Sequence, residues 1–101
     1  MATKYPALPT TAEGPAGSIR IVLATELTNS RGEPADGHWQ SSKRIIHIDK
    51  TLTIDQQWRT LLHEMTHVGL DDGGLSQTMS EKMQEAICVA ISTARFRERF
   101  G

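Results

Sequence analysis

An α+β domain is the fold class this chain predicts, and three observations predict it. Apolar residues alternate with period two as far as Asp49, shift to a helical period from Thr53, and resume that helical period after a Gly-Gly loop. A small, mostly antiparallel sheet of about three strands should therefore pack on one helix, with a second, C-terminal helix closing the far side. At 101 residues the chain has room for one such domain with a single modest core.

Residues 1–18 hold Pro6, Pro9 and Pro15 beside Gly14, Gly17 and small polar residues, and read as an extended arm without a core of its own. The domain proper is then 19–101. Ile19, Ile21 and Leu23 alternate with Arg20, Val22 and Ala24, the period of a strand. Asn29 to Gly37 is rich in Asn, Ser, Gly, Pro and Asp, so the chain turns there. His38 to Gln40 is a short strand. Lys43 to Asp49 is a longer one, with Ile46 and Ile48 on one face and Ile45, His47 and Asp49 on the other.

Thr53-Ile54-Asp55-Gln56 has the pattern of a capping box and opens a helix. Ile54, Trp58, Leu61, Leu62, Met65 and Val68 share one side of it. Gly69 is placed to end it, which makes Asp71-Asp72-Gly73-Gly74 a loop. A second helix is predicted from about Gln77 to the region of Arg95, with Met79, Met83, Ile87, Ala90 and Ile91 as its apolar stripe. The charged tail from Arg95 to Gly101 is expected to fray.

Composition removes several function classes. Eleven basic and twelve acidic residues, mixed along the chain for a net charge of −1, give no basic face for a phosphate backbone, so nucleic acid is not an expected partner. Cys88 is the single cysteine, which precludes an internal disulfide and fits the cytoplasm. The N-terminus lacks the apolar run of a leader peptide, and no stretch approaches the roughly 20 apolar residues of a membrane span.

The chemistry lies in Leu61-Leu62-His63-Glu64-Met65-Thr66-His67-Val68-Gly69, which contains His-Glu-x-x-His within the first helix. Spacing of four puts His63 and His67 one turn apart on one face, where both imidazoles can reach one tetrahedral Zn²⁺. Glu64 points beside that face, as a general base that takes a proton from water activated by the metal. At 100° per residue, the stripe of Trp58, Leu61, Met65 and Val68 centres about 150° from His63, Glu64 and His67. The two histidines thus lie away from the packing face. A chance match to the motif in a chain with this many His and Glu residues has a probability on the order of one per cent.

With those residues the chain resembles the zincin metallopeptidases. The metzincin branch is excluded, because its continuation needs Gly at position 70 and His or Asp at 73, where this chain has Leu70 and Gly73. The resemblance is to minimal gluzincins and to small phage- or prophage-encoded metallopeptidase-like proteins, through Thr60-Leu61-Leu62-His63-Glu64 and Glu85-Ala86-Ile87, and covers about residues 19 to 94. It implies a minimal zincin-like fold and a third zinc ligand contributed as glutamate by the second helix. Larger gluzincins often place an acidic residue four positions after that glutamate. Position 89 is Val here, so either Asp49, a backbone carbonyl or water orients the histidines, or the metal site is looser than in the larger enzymes.

Glu85 is the first choice for the third ligand, since Cys88, Val89 and Ser92 on its face suggest a packed border; Glu81, Asp71 and Asp72 are the alternatives. His47 is a candidate oxyanion donor, on the expectation that its strand lines the cleft. Cys88 reads as a small buried hydrophobe and not as a ligand. Trp39 fits either the core or a cleft wall. Minimal gluzincins can carry arms that cover the metal, and here Tyr5 is the side chain expected to approach it. The expected function is zinc-dependent hydrolysis of peptide bonds, with a peptide or protein substrate lying extended along a strand edge. The alternative is a zincin-like zinc-binding regulatory or interaction module without peptidase activity.

Overall fold

Four isoleucines set the position of the sheet. Ile19 and Ile21 on β2 (Gly17–Ala24) and Ile46 and Ile48 on β4 (Ile45–Asp49) are all buried, and alternation sends them to one face. β2 and β4 run parallel, with Ile21 opposite Ile46. In this computed structural model, which describes residues 5–29 and 31–101, β1 (Thr11–Gly14) and β3 (Gly37–Gln40) flank that pair antiparallel, in the order β1-β2-β4-β3. Two of the three strand pairings are antiparallel, as the α+β reading requires.

The fourth strand comes from the predicted arm. Thr11 to Gly14 pairs with Arg20 to Gly17 and covers what would otherwise be an open sheet edge. The Ile21 amide donates to the Thr10 carbonyl at 2.9 Å, and the Trp58 indole N–H donates to the Pro6 carbonyl at 2.7 Å. Leu8 and Ala12 pack against the core. Residues 5–14 are therefore extended but built into the domain.

α1 (Ile54–Asp72) lays Trp58, Leu61 and Val68 on the isoleucine face of the sheet, and Phe96 completes that core. At its start the capping box read from the sequence is present, with the Thr53 amide donating to Gln56 Oε1 at 3.3 Å, and the Thr53 hydroxyl also donates to Asp55 at 2.6 Å. The helix does not stop at Gly69. It continues to Asp72 because Leu70 is buried and the two aspartates are tied down. Arg44 forks onto both Asp72 oxygens at 2.9 Å, and the Trp39 indole N–H donates to Asp71 Oδ2 at 3.1 Å. The Arg44 hydrogen bonds hold the Asp72 carboxyl below its ordinary range.

α2 (Glu81–Phe100) also departs from the expected limits. Ser80 caps it by accepting from the Met83 amide at 3.1 Å, so it starts later than Gln77. Its last turn is ordered rather than frayed: Phe96 stacks on Tyr5, and Phe100 lies tilted against Phe96 and edge-on to Tyr5 and Trp58. The buried face is Cys88, Ser92 and Phe96, whereas Met83 and Ile91, members of the expected stripe, are exposed. Among the described residues no helix is long and apolar enough to cross a membrane.

Gly37 fixes how close β3 comes to α1. A Cβ built there would stand 2.5 Å from Thr60 Cγ2 and 3.1 Å from the His47 carbonyl oxygen. Thr60 is β-branched and cannot swing away cheaply. Gly37→Ala should destabilise the fold by about 1–3 kcal/mol, the usual range for overpacking. In thermal unfolding that is a loss of about 4–8 °C for each kcal/mol. An unchanged midpoint would show that β3 and α1 are not in this close contact.

Candidate metal centre

α1 and α2 pack side by side so that Glu85 faces His63 and His67. Glu85 Oε1 lies 2.7 Å from His67 Nε2, and Oε2 lies 3.2 Å from His63 Nε2. The carboxylate thus bridges the two imidazoles of the His-Glu-x-x-His turn, whose ring centroids are 5.1 Å apart. Both histidines are about four-fifths buried, and Glu85 is half exposed. Burial holds the His63 imidazole below its ordinary pKa, outweighing the opposite pull of Glu85, and so favours the neutral form that binds metal.

Glu64 sits beside this cluster in a different environment. Burial pushes its carboxyl up to about 7, with Glu85 adding to the rise and His67 and a main-chain hydrogen bond from Trp39 opposing it. A cleft of about 440 Å³ opens over these residues, walled by Gly37 and Thr60 on one side and by Glu85, Val89 and Phe96 on the other, with His63 and Glu64 between.

The donor set suits a divalent transition ion. Two imidazole nitrogens and a carboxylate are ordinary zinc ligands, and bonds of 2.0–2.1 Å in a tetrahedron put ligand atoms about 3.3 Å apart. The observed 3.2 Å to His63 is close to that spacing, and the 2.7 Å to His67 is a hydrogen-bond distance. A fourth group was missed in the sequence: Cys88 Sγ and the ligand nitrogens of His63 and His67 all lie within 4.8 Å of one another. Cys88 is indeed buried, as its apolar neighbours suggested, but it is buried against the histidines. The available signal was its position three residues after Glu85, one turn along the same helix face.

The match to known proteins agrees with this geometry. The model of the IrrE N-terminal-like domain, a peptidase family, matches residues 18–100. The chain belongs to that family. It is accordingly a zincin-like metallopeptidase-family domain, and its small α+β fold is consistent with one. No curated protein and no solved structure matches the chain.

Other expected site residues are not brought to the cluster. His47 is on the face of β4 opposite Ile46 and Ile48, so it points away from α1 and its ring lies against His38, with Nε2 3.3 Å from Gln40 Oε1. It is not an oxyanion donor for this cleft. The strand at the cleft is β3, because β4 is interior in the sheet order. Asp71 and Asp72 are committed to Trp39, Ser76, Ala16 and Arg44, and Asp49 accepts from Thr51 at the end of β4. Glu81 is exposed in the first turn of α2. Tyr5 does not cover the histidines either. It packs on Phe96 and Phe100, and Phe96 is about 16 Å along α2 from Glu85 at 1.5 Å per residue.

Proposed function

We propose that this domain is a zinc-dependent peptidase of the gluzincin arrangement, in which His63, His67 and Glu85 hold the metal and Glu64 is the general base. The observation that carries the reading is the Glu85 carboxylate bridging both histidines of the motif beside an open cleft that Glu85, His63 and Glu64 line. Zinc held there supplies Lewis acidity, making water a stronger acid and a peptide carbonyl a better electrophile.

The chain's own groups do the rest. His63, kept neutral by burial, offers a nitrogen lone pair rather than a competing proton. Glu64 takes the proton of the attacking water and returns it to the leaving amine. Its raised pKa places it near the working range of a base at neutral pH; a divalent cation beside it lowers that value, since an opposite charge favours the carboxylate. The substrate is an extended peptide added to the edge of β3, whose approach to the cleft is made possible by Gly37.

The test is cleavage of an unfolded polypeptide by the zinc-loaded chain, read by mass spectrometry of the products. Hydrolysis should disappear with a chelator and return with added Zn²⁺. If loaded protein cleaves nothing across a broad peptide mixture, the hydrolase reading fails. The second reading, a metal-holding module without hydrolysis, would then stand, and the thiol beside the ligands is the observation that favours it.

A further inference from the structure

The ligand cluster has one member more than a hydrolytic zinc site uses. Catalytic zinc keeps three protein ligands and one open position, whereas four protein ligands make a closed, structural type of site. Here α2 presents two groups one turn apart, Glu85 and Cys88, to the same pair of histidines. The Cys88 side chain is fully buried, and among the described residues its sulfur has no hydrogen-bond partner. A thiol packed only for its volume needs no such neighbours; this one is buried where the ligand atoms of His63 and His67 converge.

We propose that Cys88 is a fourth, reversible metal ligand, so that the site has a closed state, His63-His67-Glu85-Cys88, alongside the open state that hydrolysis requires. This rests on the ligand assignment made above and adds a device that limits it. On closing, the sulfur binds as thiolate, its proton passes to solvent, and the position used by water and substrate is filled. On opening, the sulfur takes a proton back and leaves. A soft thiolate also biases the site toward zinc and other thiophilic ions over magnesium or manganese. Glu85, half exposed on the cleft wall, and Cys88, fully buried, then differ in role: one holds the ion in both states and the other only in the closed one.

The test uses the full chain loaded with Co²⁺ in thiol-free buffer. Because Cys88 is the only cysteine, a thiolate-to-cobalt charge-transfer band in the near ultraviolet can come from nowhere else in the chain. The wild type should show the band, and Cys88→Ser and Cys88→Ala should lose it while binding the same equivalents of cobalt. Absence of the band in the wild type overturns the proposal, and that spectrum decides the matter even if neither variant folds. Zinc-loaded Cys88→Ala should in addition hydrolyse peptide severalfold faster than wild type. A band in the wild type with equal hydrolysis rates in the two proteins would overturn the closed state as a limit on activity. A band with no hydrolysis by either protein supports the ligand assignment and counts against the peptidase reading alone.

Discussion

Glu64→Gln should leave metal binding near stoichiometric while lowering peptide hydrolysis by roughly 10² to 10⁴ fold, the range a positioned acid or base contributes. The glutamine keeps the shape and the acceptor oxygen of the side chain but cannot carry a proton between water and the leaving amine. Glu64 is neither in the mutually close set of His63, His67 and Cys88 nor in the contact of Glu85 with the two histidines. Metal content should therefore be insensitive to it. The burial that raises the Glu64 pKa also predicts that the uncharged glutamine is tolerated in the fold. The checks are zinc content and single-turnover cleavage on the same preparations. Cleavage at the wild-type rate with zinc retained would remove Glu64 from the chemistry.

Glu85→Ala should weaken zinc binding by more than the roughly 10- to 100-fold that outer partners of a metal site typically carry, because it removes a direct ligand. Glu81→Ala, one turn earlier in α2 and exposed, should not. The difference should appear in folding as well. Metal at about 100 times its Kd stabilises the state that binds it by about 2.7 kcal/mol, so added Zn²⁺ should raise the melting temperature of the wild type and of Glu81→Ala. In Glu85→Ala that rise should be lost. The measurement is thermal unfolding of the three proteins with and without zinc, after dialysis against a mild chelator. A full zinc-dependent rise in Glu85→Ala, or its loss in Glu81→Ala, would reassign the third ligand.

The parts of this molecule that were legible in the sequence are those set by local periodicity. Ile19, Ile21, Ile46 and Ile48 declare the buried face of the sheet, and the spacing of His63, Glu64 and His67 declares a polar side of α1 apart from its packing face. The approach of Glu85 to both histidines was also anticipated, though for a reason only half met: Cys88 beside it is buried, but Val89 is largely exposed. What was not legible depends on partners distant in sequence. The last turn of α1 exists because Arg44, twenty-eight residues earlier, grips Asp72, and no local pattern contains that ion pair. β1 has the sequence Thr-Ala-Glu-Gly, without apolar alternation, and becomes a strand only because β2 offers it an edge.

The face of α2 was misread for a related reason. An apolar stripe was sought, but this helix packs against the histidine side of α1, so its buried line of Cys88, Ser92 and Phe96 is small or mixed in character. Met83 and Ile91 are left outside. His47 shows the opposite case, since its placement followed from the sequence alone. If Ile46 and Ile48 meet the helix, alternation sends His47 to the other face, and a cleft role was never open to it.

One metal ion should bind between α1 and α2 through the two histidines of the motif. Calorimetric titration of the metal-free full chain with Zn²⁺ tests it most directly, run beside a His63→Ala, His67→Ala double variant whose fold is checked by circular dichroism. The wild type should show one saturable site and the double variant none. Absence of saturable binding by the wild type, or an undiminished site in the double variant, would contradict it.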